Sequence, residues 1–236
     1  MRYRILNIKK TVLVLLQFYL IMTTGNVFGE IIHFQKSDYK GANQNWSVST
    51  SENGRIYFAN HHGLVEFDGT SWKLYKLPNQ PVIRAVKAIS DSLIFTSGYM
   101  ELGYWTRDKF GNLNYHSLLS KANPHFTRNI EFWNIAVNES SVFFRSFNPV
   151  ILEYTNDSIY AVDLIGNPGV MNKVGDKILV AVGDVGIFEI KDHKAIPYLT
   201  GEFFRSKQIR FLLATKNQKL LIGTSTHGIF EYDGKN

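Results

Sequence analysis

Short apolar runs, rich in β-branched and aromatic residues, recur along the chain and are cut by Asn-Gly, Asp-Gly and Gly-Asn pairs. A period of 3.6 residues is almost nowhere visible, so the pattern predicts strands joined by tight turns. Laid over one another, the runs form a repeat. Residues 56–69 read IYFANHHGLVEFDG and residues 221–234 read LIGTSTHGIFEYDG. Looser copies fall at 94–105, 143–154 and 178–190. The closing apolar position of each copy is Phe67, Trp105, Tyr154, Ile190 and Tyr232, spaced by 38, 49, 36 and 42 residues. That interval fits a four-stranded propeller blade and is too long for the shorter helical repeats.

The chain is therefore predicted to be all-β, a β-propeller with about five four-stranded blade units visible. The units fall near 45–77, 82–115, 130–160, 169–198 and 209–236. Inner strands are expected at 45–50, 82–89, 130–137, 170–174 and 209–215, and a short helical insertion at 117–122. The fifth unit stops after its third strand, so the ring is expected to be incomplete and the chain to be a fragment of a longer protein. Gly63, Gly186 and Gly228 form a column expected to mark a positive-φ turn between second and third strands. Glu66, Glu153, Glu189 and Glu231 form another, which fits either a solvated strand face or a recurrent pair between blades. The periodic aromatics are read as core between blades.

Charge changes the picture at one end only. The net charge is +6, but Arg2, Arg4, Lys9 and Lys10 supply four of the 26 basic residues within the first ten positions. Without them 22 basic residues face 20 acidic ones, which is no electrostatic footprint for a phosphate backbone, and no nucleic-acid contact is expected. The basic stretch precedes an apolar run at 11–22 and small residues up to 29, the layout of a secretory signal peptide over 1–29. The body, 30–236, is thus expected to be exported to an extracytoplasmic compartment such as a periplasm. Contact with the membrane is expected only through that leader or through a C-terminal helix outside this sequence. Cysteine is absent, which removes disulfides, thiolate metal sites and a Cys nucleophile.

The units 56–69 and 221–234, together with the opening stretch 39–46 (YKGANQNW), resemble the regulator-propeller repeat. The resemblance runs over 39–236. It implies the periplasmic sensor half of Bacteroidetes-type hybrid two-component or triple-tyrosine helix-turn-helix regulators. In such proteins further blades, a tyrosine-rich β-sandwich, one membrane helix and an output domain follow. It also implies ligand sensing in the periplasm, with a glycan as the expected ligand and a homodimer of sensor ectodomains as an expected assembly.

The residues add little catalytic chemistry. No phosphate loop, nucleophile elbow, metalloprotease helix or calcium loop is present, and neither cofactor nor metal is expected. Loops joining second to third strands share one propeller face with loops leading into inner strands. That face is expected to collect Asn60, His61, His62, Tyr99, Glu101, Arg128, Asn148, Asp184 and His227, with Phe147 and Asn129 beside them. Polar donors near aromatic platforms suit an oligosaccharide or another small ligand. Two other readings stand beside a sensor. A polysaccharide lyase or glycosidase would need two converging acid–base groups, for which Glu101 and Asp184 are the singular acidic loop residues. A structural scaffold of an envelope complex would need only a partner.

Overall fold

A computed structural model describes residues 31–217 and 219–234; the predicted leader at 1–29 lies outside them. After a four-residue helix, α1 (Lys36–Tyr39), nineteen strands follow in chain order among the described residues. The first sheet holds β1 (Asn45–Thr50), β2 (Ile56–Asn60), β3 (Gly63–Phe67) and β4 (Trp72–Tyr75). The second holds β5 (Ile83–Ala88), β6 (Leu93–Gly98), β7 (Glu101–Arg107) and β8 (Leu113–Ser117). The third holds β9 (Phe132–Val137), β10 (Val142–Ser146), β11 (Ile151–Thr155) and β12 (Ser158–Ala161). The fourth holds β13 (Pro168–Val174), β14 (Lys177–Val182), β15 (Gly186–Lys191) and β16 (Lys194–Thr200). The fifth has three strands among the described residues, β17 (Ile209–Ala214), β18 (Leu220–Thr224) and β19 (Ile229–Tyr232).

Every sheet is an antiparallel meander in sequence order, the blade of a β-propeller. Inner strands pack on their neighbours in the order β1, β5, β9, β13, β17, and no comparable packing returns β17 to β1 among the described residues. The ring is open there.

Middle strands read as unbroken apolar runs because both of their faces are covered. In β10, Phe143 enters the core against the fourth blade while its neighbour Phe144 enters the core against the second. In β14, Leu179 faces the fifth blade and Ile178 and Val180 the third. Four such cores join the five blades, and Trp105 fills the first of them beside Tyr57 and Leu64. The insertion expected at 117–122 is one 3-10 turn, Leu119–Lys121, pinned by buried Leu118 and Ala122.

The two repeat columns acquire separate causes. Gly63 and Gly186 hold φ of 142° and 141°, and a Cβ there would sit 2.2 Å from the Tyr75 carbonyl and 2.4 Å from that of Leu199. Close approach of the fourth strand therefore requires glycine as much as the turn does. Glu66 is buried and takes Arg55 of its own blade at 2.7 Å and Arg107 of the next blade at 2.8 Å. Glu153 accepts from Ser141 at 2.7 Å and lies 2.8 Å from Nδ1 of His193 in the next blade. Glu189 and Glu231 pair with Lys177 and Lys219 inside their own blades. The column serves as a recurrent pair, buried or half-buried at Glu66, Glu153 and Glu189 and exposed at Glu231, and twice it couples adjacent blades.

Candidate functional site

Each inner strand carries one residue more than its partner. The pairing of β1 with β2 steps from Asn45↔Asn60 to Ser47↔Ala59 and leaves Trp46 over. The same step leaves Arg84 on β5, Trp133 on β9 and Arg210 on β17. On β13 the bulge falls at Gly169 and Val170. A bulge turns its side chain out of the pleat, and five of them at one register make an arc of Trp46, Arg84, Trp133, Val170 and Arg210 around the inner channel.

At the first three positions the arc is filled. The Arg84 guanidinium lies 4.0 Å from the Trp46 ring centre and 4.5 Å from that of Trp133, a cation held between two indoles. Its Nε donates to Glu131 at 2.5 Å. At the fourth position the side chains are small, and there the arc opens into a cavity of about 620 Å³ bounded by the third, fourth and fifth blades. That size suits a small organic ligand. Trp133 and Phe147 form one wall, their rings 5.4 Å apart.

Arg145, on β10, lines the same cavity and is 7% exposed. Its Nη1 reaches the carbonyls of Ser146 and Pro168 at 3.3 and 3.4 Å. Its Nε is occluded and has no partner, and among the described residues Nη2 has no protein acceptor. Phe147 lies 4.8 Å from its Cζ. Among the described residues no carboxylate stands within ion-pair distance of it. Burial lowers its pKa to about 10, so it stays charged at neutral pH. The Oδ1 of Asn134, its cross-strand neighbour, is buried without a donor too. Buried polar groups are ordinarily satisfied; here two unsatisfied ones border one cavity.

Of the residues predicted from sequence, Asp184 lines this cavity and exposed Asn148 adjoins it next to Phe147. The others are dispersed. Asn60 is fully buried, and its amide bonds Ala42 on both sides and Asn45. It clamps the segment entering β1, which corrects its placement on an open face. Glu101 is likewise engaged, its Oε1 accepting from Tyr115 at 2.9 Å and Ser117 at 2.8 Å. Burial and then this carboxylate push the Tyr115 hydroxyl far above its ordinary value. His61 and His62 are exposed, 6.2 Å apart, beside a separate shallow recess with Lys36 and residues 41–44. Tyr99 meets Asn129 at 3.5 Å, and Arg128 borders a third recess with His125. His227 is held in its own turn by Thr224 and Thr226. The predicted residues thus fall at three separate recesses or at none, instead of one site.

Sequence reading missed Trp46, Arg84, Trp133, Arg145 and Arg210 because it looked to loops. The signal lay in the inner strands, where Ile83-Arg84, Phe132-Trp133 and Ile209-Arg210 repeat an apolar residue followed by a large cationic or indole side chain.

No family model matches the chain, and no curated protein matches its sequence. Solved structures do match in shape. Virginiamycin B lyase from Staphylococcus aureus aligns over 81% of this chain and 71% of its own, at 16% identity and TM-score 0.62. The extracellular domain of a hybrid two-component system from B. thetaiotaomicron aligns over 89% of this chain, at 14% identity and TM-score 0.60. This chain spans 28% of that domain. The WD40 β-propeller domain of Doa1 aligns over 83% of this chain and 68% of its own, at 12% identity and TM-score 0.62. At these identities the likeness establishes the fold, a β-propeller. A second extracellular two-component-system domain from B. thetaiotaomicron is also among these neighbours in fold.

Proposed function

We propose that this chain is a non-catalytic, extracytoplasmic sensing module of a transmembrane regulator, and that it binds a saccharide-like ligand in the cavity of the third to fifth blades. The observation that carries the reading is buried Arg145, whose Nε has no partner and which has no carboxylate beside it among the described residues, next to Asn134 and set against the Trp133 and Phe147 rings. An unsatisfied guanidinium is unfavourable for folding alone, and a ligand that completes its bonds gives it a use. The regulator-propeller resemblance and the two-component ectodomains among the structural neighbours support the sensor role. A basic, apolar leader supports export.

Binding here would bias the packing of this propeller against whatever it adjoins, provided that the ligand prefers one arrangement. The lyase neighbour raises turnover as the competing reading. Acid–base cleavage at a sugar calls for two converging groups, whereas Asp184 is the single carboxylate in the cavity lining and no histidine joins it there. Calorimetric titration of the full chain against a broad panel of neutral and acidic oligosaccharides tests the proposal. Saturable binding without new reducing or unsaturated ends is expected. Cleavage of a panel member overturns the non-catalytic part, and silence across the panel overturns ligand sensing.

A further inference from the structure

The cavity is more specific than a generic sugar site. Its wall sets two guanidinium groups from different blades against two aromatic rings. Arg145 cannot turn away, because β10 is the second strand of a blade covered on both faces. Among the described residues, two of its three nitrogens have no protein acceptor. Arg210 stands on the β17 bulge with its Nε donating to Ser225 at 2.6 Å, which leaves the rest of its guanidinium for the cavity. Among the described residues it has no carboxylate partner either. Asp184, across the lining, is suited to accept from a hydroxyl.

Neutral sugars would leave buried Arg145 without a counter-charge, and that is costly; exposed Arg210 adds a second cation at the rim. An anion held by a fork of N–H donors relieves it, and charge-assisted bonds of this kind are about twice as strong as neutral ones. We infer, resting on the sensing reading above, that the ligand is an anionic saccharide whose charged group meets Arg145 and Arg210 while its ring lies on Trp133 and Phe147. A uronate carboxylate and a sulfate ester share that chemistry.

The test is calorimetric titration of the full chain with three probes at one low ionic strength: trigalacturonate, its carboxyl-reduced neutral trisaccharide, and a sulfated trisaccharide of the same linkage. Either anionic probe should bind at least about tenfold more tightly than the neutral one, as loss of a hydrogen bond to a charged group predicts. Preference for trigalacturonate names the carboxylate, and preference for the sulfated probe names the ester. Arg145→Gln should remove the preference, and Arg210→Gln, at an exposed site, should reduce it severalfold even if the buried variant folds poorly. Equal binding of neutral and charged probes overturns the anionic ligand while ligand sensing stands. No binding of any of the three overturns it as well, and the broad panel then decides whether sensing survives.

Discussion

Two arginines largely withdrawn from solvent, one half-buried and one buried, have opposite circumstances. Arg107, between the first and second blades, donates to Glu66, to the Tyr57 hydroxyl and to the carbonyls of Asp91 and Gly111 at 2.8–3.0 Å. Glu66 in turn accepts from Arg55 and from Tyr75. Arg145, in the third blade, has two long carbonyl contacts and no carboxylate. The first arrangement explains itself as architecture, since both charges are met and two blades are coupled. The second reaches the next blade only through one long contact to the Pro168 carbonyl, leaves its charge unmet among the described residues, and borders the cavity where the bulge arc opens. Burial of a charge therefore does not by itself mark a site in this fold, since Glu66 is buried with its charge met; Arg145 differs in being a buried cation whose charge is not met among the described residues.

The largest effect expected from breaking this contrast is at Glu66. Glu66→Ala strands Arg55 and Arg107 and should lower stability by about 3–5 kcal/mol, measured by urea unfolding. A loss below about 1 kcal/mol would be the value of a surface pair and would show the network to be idle. Next is Gly63→Ala, which drives a Cβ into the Tyr75 carbonyl; we expect a loss of roughly 2–3 kcal/mol from strain and overpacking. Gly228→Ala, the same column with open space around it, should lose about 1 kcal/mol from its positive φ alone. Equal losses at the two would mean that the fourth strand plays no part in the column.

Arg145→Met should be stability-neutral or stabilising by about 1–2 kcal/mol, since it removes an unmet buried charge. The same unfolding curves check it, and a clear loss would mean that Arg145 is structural. The smallest effect is in the alkaline range, and its sign differs between the two regions. Burial, then the charge of Glu66, raises the Tyr75 hydroxyl to about 12, so the folded chain keeps a proton that the unfolded chain loses from 10.0 upward. That contribution is complete below the unfolded value and lost as pH climbs through the folded one. Arg145 is lowered to about 10 from 12.5, so the unfolded chain holds more protons between those values and its contribution rises with pH. Unfolding of Tyr75→Phe and Arg145→Met across that window should flatten the pH profile in opposite directions.

Much of the fold was legible because propeller strands are punctuated locally. β1 runs Asn45–Thr50, as the alternation and the Glu52-Asn53-Gly54 turn predict. The closing column of Phe67, Trp105, Tyr154, Ile190 and Tyr232 falls on third strands throughout. The glutamate column left two readings, and contacts between chain-distant residues such as Glu66 and Arg107 were needed to separate them. The site was largely illegible. A bulge interrupts the period-two alternation at the very residue that it re-aims, so Trp133 and Arg210 read as ordinary strand positions. Their convergence depends on blades closing around an axis, and Arg145 lies in an apolar run where a cation reads as an exception. Asn60 and Glu101 read as loop chemistry, yet their hydrogen bonds are already taken within the fold.

The most direct measurement is thermal unfolding of the full chain and of Arg145→Met with increasing trigalacturonate. A ligand that binds only the folded state raises the midpoint with its concentration. The native chain should start at or below the variant and climb as ligand is added, while the variant stays level. Parallel rises in both proteins would contradict the assignment of Arg145 as the anchor of the cavity.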